Sequence, residues 1–331
     1  MEETAMELRE VSVSYHGDIR VLKELNLRIG AGGITGIIGP NGAGKSTILR
    51  ILSCQLLPSS GEVRIGGTVT AENPRAVRAK IGFLPETVPL YPEMTVKDYL
   101  GFAAGIRRIP RNRIDSARDE AMAGTGLKEV AHERLGNLSR GFQQRVGIAQ
   151  AIVHRPELVL LDEPMAGLDP LQITEIRALI QGLKGRHTVL FSSHNPGEIT
   201  KICDRIILID KGRVRVEGSE SQLWETLHHR LHLVLLLRGA PEKAVSIAEG
   251  VKGVEVKSSA AEGEGKTRLE VSANPEARET LSQALMQGGL GLLEMRAEHH
   301  GLEDLFYRLI ETPTSPETPE APDTPNTPEA P

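Results

Sequence analysis

The glycine-rich segment GPNGAGKST at residues 39–47 is the strongest constraint on how this chain can fold. The apolar run ITGIIG at 34–39 leads into it, and KSTILRILSC after it has the apolar spacing of a helix. A strand, a glycine-rich loop and a helix in this order bring backbone N–H groups and a helix N-terminus to one point, where they bind phosphate. The sequence therefore predicts an α/β fold with a phosphate site in this loop.

The motif G-x-x-x-x-G-K-[ST] assigns a role to the side chains of the loop. We expect Lys45 to bridge the β- and γ-phosphates of ATP and the Ser46 hydroxyl to ligate Mg²⁺. The alternative is a glycine-rich strand-to-helix turn with a solvated lysine. The predicted phosphate contacts are Gly39, Pro40, Asn41, Gly42, Ala43, Gly44, Lys45, Ser46 and Thr47.

A second apolar strand, in LVLLDEP at 158–164, ends in two carboxylates. A buried strand ends in paired acids where a cation or a reacting water is held beside them. We expect Asp162 to hold Mg²⁺ and Glu163 to polarise the water that attacks the γ-phosphate. The alternative is a strand that runs into an acidic surface turn.

A histidine follows a third strand-like run, HTVLFSS at 187–193. His194 is predicted to lie at the same sheet edge as the two acids, where its imidazole can contact the γ-phosphate and orient the attacking water. A partly exposed histidine at a strand end is the alternative.

Composition limits the other function classes. Among the 331 residues, Cys54 and Cys203 lie far apart without metal-binding spacing, so a reducing compartment is expected. The longest apolar run, LHLVLLL at 231–237, is too short to span a bilayer, and the acidic N-terminus does not resemble a signal peptide. The net charge of −5 arises mostly in the last twenty residues, so the chain has no electrostatic footprint for nucleic acid.

The remaining patterns divide the chain into segments. Alternating residues at 6–29 predict an antiparallel β layer, helical spacing dominates about 87–155, and RIILID at 205–210 adds a strand to a mostly parallel sheet. Residues 231–311 show the strand and helix order of a ferredoxin-like domain, closed by helical GLEDLFYRLIE. The predicted units are 1–225, 226–311, and an acidic tail at 312–331 with proline at every third residue. That tail is expected to be disordered, or alternatively to be an extended docking ligand.

With these motifs in place, residues 6 to about 220 closely resemble the ATP-binding subunits of ABC transporters. The segment LSRGFQQR at 138–145 resembles the ABC signature, which other P-loop NTPases lack. The resemblance implies a P-loop NTPase fold with an inserted helical subdomain. It also implies a head-to-tail dimer of ATP-binding subunits, either a homodimer or a heterodimer.

Further roles come from the resemblance. Ser139 and Gly141 would touch the γ-phosphate of ATP bound to the partner subunit, and Tyr15 would stack against adenine. Asp169, in AGLD at 166–169, would belong to the loop through which the two sites communicate. Without the resemblance, these residues would be interpreted as a helix N-cap, a packed tyrosine and a turn aspartate.

Departures from the family pattern are few. Glu86 stands where most members have glutamine, and its carboxylate can ligate Mg²⁺ but cannot donate a hydrogen bond when ionised. Arg140 and Phe142 replace the usual glycine and glutamine of the signature, and Met165 replaces a threonine or serine. The motifs resemble an exporter branch of drug, sodium, polysaccharide and gliding-motility ATPases, with the gliding-motility type nearest.

The leading hypothesis is an ATPase subunit that powers transport through a separate membrane-spanning subunit, which holds it at the cytoplasmic face of the membrane. Coupling is expected through the surface around Glu86 to Tyr99. One alternative is a regulator or nucleic-acid-handling ATPase, although zinc spacings and tandem cassettes are absent from the sequence. Another is a nucleotide-gated binding module in which Glu86 and the altered signature have abolished hydrolysis.

Overall fold

A computed structural model describes residues 4–15, 19–227, 231–263 and 265–297. Residues 16–18 of the predicted β layer, the helix predicted at 301–311 and the proline-rich tail from 312 lie outside the described residues. The strands are β1 (Thr4–Tyr15), β2 (Ile19–Gly30), β3 (Ile34–Ile38), β4 (Ser60–Ile65), β5 (Thr68–Val69), β6 (Ile81–Leu84), β7 (Leu158–Leu161), β8 (Thr188–Ser193), β9 (Arg205–Asp210), β10 (Arg213–Gly218), β11 (Leu231–Arg238), β12 (Val254–Ala261), β13 (Lys266–Ala273) and β14 (Gly291–Ala297). The helices are α1 (Lys45–Leu52), α2 (Pro74–Ala79), α3 (Val96–Ile106), α4 (Arg111–Gly124), α5 (Arg140–Ile152), α6 (Pro170–Gln181), α7 (Pro196–Ile199), α8 (Glu220–Leu227), α9 (Pro241–Glu249) and α10 (Ala277–Gln287).

The central sheet has the strand order β10-β9-β3-β8-β7-β6. Its inner pairs are parallel and only β10 runs antiparallel, as the alternation of strands and helices predicts. Strands β3, β7 and β8 are buried along their whole length, which explains why their sequences are nearly continuous apolar runs. Because parallel strands end at one edge, the segments that follow β3, β7 and β8 are brought together there.

A second sheet, with the order β2-β1-β4-β5, forms the antiparallel layer. The inward side chains of β1 and β2 alternate with exposed ones, and they join the same apolar cluster as α1 and one face of the central sheet. This packing places β2 beside the glycine-rich loop: a Cβ added to Gly44 would lie 2.6 Å from Leu22 Cδ2.

Three helices, α3, α4 and α5, enclose an apolar cluster of their own. Local side chains fix where the helices begin. Thr95 caps α3 by accepting a hydrogen bond from the Asp98 N–H, and Ser139 and Asp169 stand at the N-cap positions of α5 and α6. These helices correspond to the helical region predicted at about 87–155. Strand β6, the edge strand just before that region, is not among the predicted strands. Its four residues include Gly82, which is unfavourable inside a strand, whereas the equally short β7 is an unbroken run of leucine and valine.

The C-terminal strands form a third sheet with the order β12-β13-β11-β14, antiparallel throughout. Together with α9 and α10, this is the strand order and βαββαβ sequence of a ferredoxin-like fold, as predicted. Its core lies between the helices and one sheet face and is built mainly of leucine, valine and alanine.

Within the described ranges, no helix is both long enough and apolar enough to cross a bilayer.

The central sheet depends on complete burial of its middle strands, and this can be tested at Phe191 in β8, which is 0% exposed. We expect Phe191→Ala to lower the free energy of unfolding by about 3–5 kcal/mol, because truncation leaves a cavity. Denaturant titration followed by circular dichroism measures this change. Phe102→Ala, at a position 44% exposed on α3, is the control and should cost under about 1 kcal/mol. Equal losses in the two variants would contradict this account of the core.

Candidate nucleotide site

The glycine-rich loop joins the end of β3 to the first turn of α1. Gly42 and Gly44 have φ values of +82° and +108°, which side chains rarely permit, so the loop curls tightly before the helix begins. A Cβ on Gly39 would lie 2.2 Å from the Ile209 carbonyl oxygen. The loop therefore lies close against the end of β9, and its backbone faces the N-terminus of α1.

Lys45 is the first residue of α1, and its side chain folds back over the loop. Its Nζ donates to the carbonyl oxygens of Gly39 at 2.8 Å and Pro40 at 3.3 Å, and lies 3.7 Å from Glu163 Oε1. Burial lowers the pKa of Lys45, whereas the nearby carboxylates of Glu163 and Asp162 oppose that shift. The ammonium group is thus held where a phosphate oxygen could replace the carbonyl oxygens of Gly39 and Pro40 as its hydrogen-bond partners.

Asp162, at the end of β7, is the buried acid that joins three elements. Its Oδ1 accepts hydrogen bonds from Ser46 Oγ on α1 at 3.1 Å and from Ser192 Oγ on β8 at 2.7 Å. Ser192 in turn accepts from the Glu163 N–H at 2.9 Å. The carboxylate and the Ser46 hydroxyl therefore form a fixed pair of oxygen ligands beneath the phosphate loop.

Glu163 leaves the strand in a left-handed conformation, with φ at +46°. Non-glycine residues adopt this conformation rarely and at an energetic cost, and such residues cluster at functional sites. Its Oε2 lies 2.9 Å from His194 Nδ1, while Oε1 faces Lys45. The strained turn therefore directs the carboxylate between a lysine and a histidine instead of toward open solvent.

These groups surround a cleft of about 420 Å³. It is lined by Tyr15, Val21, Asn41, Gly42, Gly44, Lys45, Ser46, Thr47, Arg50, Glu86, Glu163, Ala166 and His194. Its size is that of a small-molecule site. Most of the residues predicted for nucleotide binding thus meet at one place, including Tyr15 and Glu86, which are far from the loop in sequence.

Seven predicted residues do not line this cleft. Gly39, Pro40 and Ala43 belong to the glycine-rich loop itself, and Asp162 is hydrogen-bonded to the lining residue Ser46. The other three, Ser139, Gly141 and Asp169, lie on other elements. Ser139 is the exposed N-cap of α5, and its Oγ accepts a long, 3.5 Å hydrogen bond from the Phe142 N–H. Asp169 caps α6 through the N–H groups of Leu171 and Gln172, both at 3.0 Å. Ser139 and Gly141 therefore lie apart from the cleft that their own chain forms.

Comparison with known proteins agrees with this geometry. The family model described as ABC transporter matches residues 22–166. The chain is 36% identical to the ABC transporter ATP-binding protein NatA of Bacillus subtilis (strain 168) over 211 residues, which are 63% of this chain and 85% of that protein. It is 32% identical to the Nod factor export ATP-binding protein I of Rhizobium sp. (strain N33) over 311 residues, 93% of this chain and 98% of that protein. The chain belongs to the ABC transporter family.

Solved structures of this family resemble the fold. The cbiO1 protein of Clostridium perfringens, part of the ABC transporter complex cbiONQ, matches with a TM-score of 0.62 and 28% identity over 68% of this chain and 92% of that one. The ATP-binding cassette MJ0796, solved as a dimer in a post-hydrolysis state with ADP and Pi, matches with a TM-score of 0.59 and 30% identity over 65% of this chain and 98% of that one. The chain is accordingly an ATP-binding subunit with the ABC cassette fold.

The ABC cassette presents few protein ligands for a metal. Within the described ranges, no group of three His, Cys, Asp or Glu side chains is placed to hold an ion. The Ser46 hydroxyl and the Asp162 carboxylate, 3.1 Å apart, are hard oxygen donors that suit Mg²⁺. This donor set fits a Mg²⁺ ion whose remaining ligands are phosphate oxygens and water.

Sequence reasoning missed several residues of this ABC site. Val21, Arg50 and Ala166 line the cleft, and Ser192 links Asp162 to Glu163. The sequence does contain a signal for Ser192: the buried strand TVLFSS ends in two serines. A buried hydroxyl needs a hydrogen-bond partner, so such a serine is expected to bond to a neighbouring polar group.

The link through Ser192 can be tested by deletion of its hydroxyl. We expect Ser192→Ala to lower kcat for ATP hydrolysis about tenfold, because it removes a hydrogen bond to the charged Asp162 and the acceptor for the Glu163 N–H. Steady-state phosphate release measures the effect. Ser193→Ala is the matched control, since that hydroxyl bonds to Glu198 instead, at 2.6 Å. Equal losses in the two variants would refute a specific role for Ser192.

Proposed function

We propose that this chain hydrolyses Mg²⁺-ATP in a head-to-tail dimer of ATP-binding subunits and so drives a separate membrane-spanning subunit of an exporter. The observation that carries the proposal is the separation of Ser139 from the cleft that its own chain forms. Ser139 and Gly141, at the N-terminus of α5, offer a hydroxyl and helix N–H groups to an anion, and the ATP of a second subunit supplies that anion.

Several residues of the cleft have defined tasks in the proposed reaction. Lys45 and the loop N–H groups hold the β- and γ-phosphates, and Tyr15 lies where it can stack against adenine. Mg²⁺, held by Ser46 and Asp162 with Glu86 near, would neutralise charge on the phosphates. These groups position the γ-phosphate, and electrostatic stabilisation in this way is commonly the largest contribution to phosphoryl transfer.

Glu163 is the proposed general base. A carboxylate must lie within hydrogen-bonding reach of the water it polarises, and the left-handed turn at this residue directs Glu163 into the cleft. His194, at 2.9 Å, keeps Glu163 Oε2 fixed, so the attacking water approaches a carboxylate with one preferred orientation. Asp169, in the loop after Glu163, is proposed to couple the conformations of the two nucleotide sites.

The exporter assignment is supported by one relative named for export and another named for bacitracin transport. Besides the Nod factor export protein, the bacitracin transport ATP-binding protein BcrA of Bacillus licheniformis is 31% identical over 297 residues. The gliding-motility type remains a prediction. We place the chain at the cytoplasmic face of the membrane, held there by its membrane-spanning partner, and we assign 1–225 to the cassette and 226–311 to an accessory domain.

A groove beside the predicted coupling region could receive this partner. It has a volume of about 950 Å³ and is bounded by Tyr91, Phe102 and Ile106, all more than 40% exposed. Four arginines also line it: Arg75, Arg78, Arg107 and Arg108. In the described part of the chain, none of the four forms an ion pair with a carboxylate. A cytoplasmic segment with both apolar and acidic side chains would complement this surface.

The proposed base is tested by Glu163→Gln in the full chain. We expect ATP binding to persist, kcat to fall at least about 100-fold, and an ATP-bound dimer to accumulate, because the amide cannot accept a proton. Phosphate release and size-exclusion chromatography with ATP measure both effects. Glu157→Gln, at an exposed acid just before β7, is the control. Unchanged turnover in the Glu163 variant would sink the proposal.

The role of Glu86 is tested by its dependence on magnesium. The carboxylate acts electrostatically on Lys45 and belongs to the cleft, so Glu86→Gln should weaken binding of the divalent cation. Because Glu86 is exposed, we expect the half-saturating Mg²⁺ concentration for hydrolysis to rise by only about threefold. Glu93→Gln, at an exposed acid outside the cleft, should leave the magnesium dependence unchanged. A glutamine variant with an identical magnesium titration would remove Glu86 from the metal site.

A further inference from the structure

Arg140 and Gly167 contact each other across the gap between the signature helix α5 and the loop at 166–169. A Cβ added to Gly167 would lie 2.5 Å from Arg140 Nη1, 2.8 Å from Cζ and 3.0 Å from Nη2. The guanidinium group therefore lies directly on the bare Cα of Gly167. The left-handed φ of +68° at Gly167 also disfavours any residue with a side chain.

Two further contacts join the same elements. A Cβ on Gly141 would lie 2.9 Å from Gln172 Cδ, so the signature glycine gives room to a side chain of α6. Arg145 of α5 forms an ion pair with Glu175 of α6 at 2.5 Å. The start of α5 and the segment that begins at 166 are thus held together at several points.

The loop at 166–169 is connected to the catalytic acid of its own chain. The Ala166 N–H donates to the Glu163 carbonyl oxygen at 3.1 Å, and Ala166 itself lines the nucleotide cleft. A displacement of Gly167 would therefore be passed through Ala166 to the strained backbone of Glu163. The path from Arg140 to the acid is short and lies within one subunit.

Polar interactions do not explain the presence of Arg140. It is exposed, and in the described part of the chain its guanidinium group forms no ion pair and no hydrogen bond. The usual glycine at this signature position would leave Gly167 without this contact. The guanidinium is planar and can lie flat on a peptide group, which a lysine ammonium cannot do equally well.

We propose that Arg140 is a positioning residue that couples the two sites: when the signature binds the ATP of the partner subunit, Arg140 sets the loop at 166–169 and with it Glu163 of its own subunit. This inference rests on the proposed head-to-tail dimer. Arg140 then acts within its own chain, whereas Ser139 acts on the nucleotide of the other. A competing role, direct contact of Arg140 with the partner's γ-phosphate, would act across the dimer.

Mixed dimers, purified through two different affinity tags, separate these roles. In the first dimer, an Arg140→Ala subunit pairs with a Glu163→Gln subunit, so the one working acid lacks Arg140 in its own chain. In the second, an Arg140→Ala/Glu163→Gln subunit pairs with a wild-type subunit, so the working acid keeps its own Arg140 and faces a signature without one. The reference dimer pairs wild type with Glu163→Gln.

We expect the first dimer to hydrolyse ATP roughly tenfold more slowly than the reference and the second to match it. Loss in the second dimer alone would overturn the proposal in favour of contact with the partner's phosphate. Equal rates in all three dimers would also overturn it.

Two measurements on homodimers do not require mixed dimers, and they distinguish a specific effect of Arg140 from a loss of folded protein. In Arg140→Ala, the KM for ATP should stay within about twofold while kcat falls, and Arg140→Lys should restore only part of kcat. The ATP-trapped dimer of Glu163→Gln should persist when Arg140→Ala is added; its loss would contradict a role confined to one chain. Arg113→Ala, at an exposed arginine of α4, is the matched control. Full turnover in the Glu163→Gln homodimer would instead refute the proposed function, and with it the premise of a single working acid.

Discussion

The Asp162 carboxylate is the interaction on which the nucleotide site depends. It lies at the end of a strand that is buried on both faces, and burial of an unpaired charge there would cost several kcal/mol. Hydroxyl groups from two other elements compensate that cost, Ser46 from α1 and Ser192 from β8. The same two bonds fix the spacing between the phosphate loop and the neighbouring strands. A single buried acid therefore stabilises the sheet edge and defines where an ATP-bound metal ion can lie.

This arrangement also explains the unusual backbone at Glu163. The Ser192 hydroxyl donates to Asp162 and accepts from the Glu163 N–H, so the two consecutive acids are held by one side chain but directed differently. Asp162 accepts hydrogen bonds from Ser46 and Ser192, whereas Glu163 turns into the cleft toward Lys45 and His194. The hydrogen bonds at this edge offset the left-handed strain of the turn. Two adjacent carboxylates can thus perform two different tasks within a few ångströms.

Much of this site could be predicted from the sequence because its parts are local patterns. The loop at 39–47 and the strand that ends in Asp162 and Glu163 each combine apolar runs with functional side chains in a fixed order. The ferredoxin-like strand order also followed from its sequence of elements. Strand β6 was not predicted, since its short run IGFL is interrupted by Gly82, whereas the equally short β7 is an unbroken aliphatic run. The contacts of Ser192, and those between Arg140 and Gly167, join residues about thirty positions apart. Such contacts arise only when the strands and helices pack.

The charges around the cleft restrict the form in which ATP can bind. Lys45 and Arg50 are its two cationic side chains among the described lining residues, and they face Glu86, Glu163 and the adjoining Asp162. Burial disfavours the charged form of Lys45 and so lowers the pKa of this group. A polyphosphate that entered alone would bring several negative charges into a site that carries more acids than bases. A divalent cation bound with the phosphates would reverse this balance, because its positive charge would offset the negative charge of the acidic side chains. We therefore expect the extra carboxylate of Glu86 to make this ABC cassette more dependent on its metal than one with a neutral glutamine at that position.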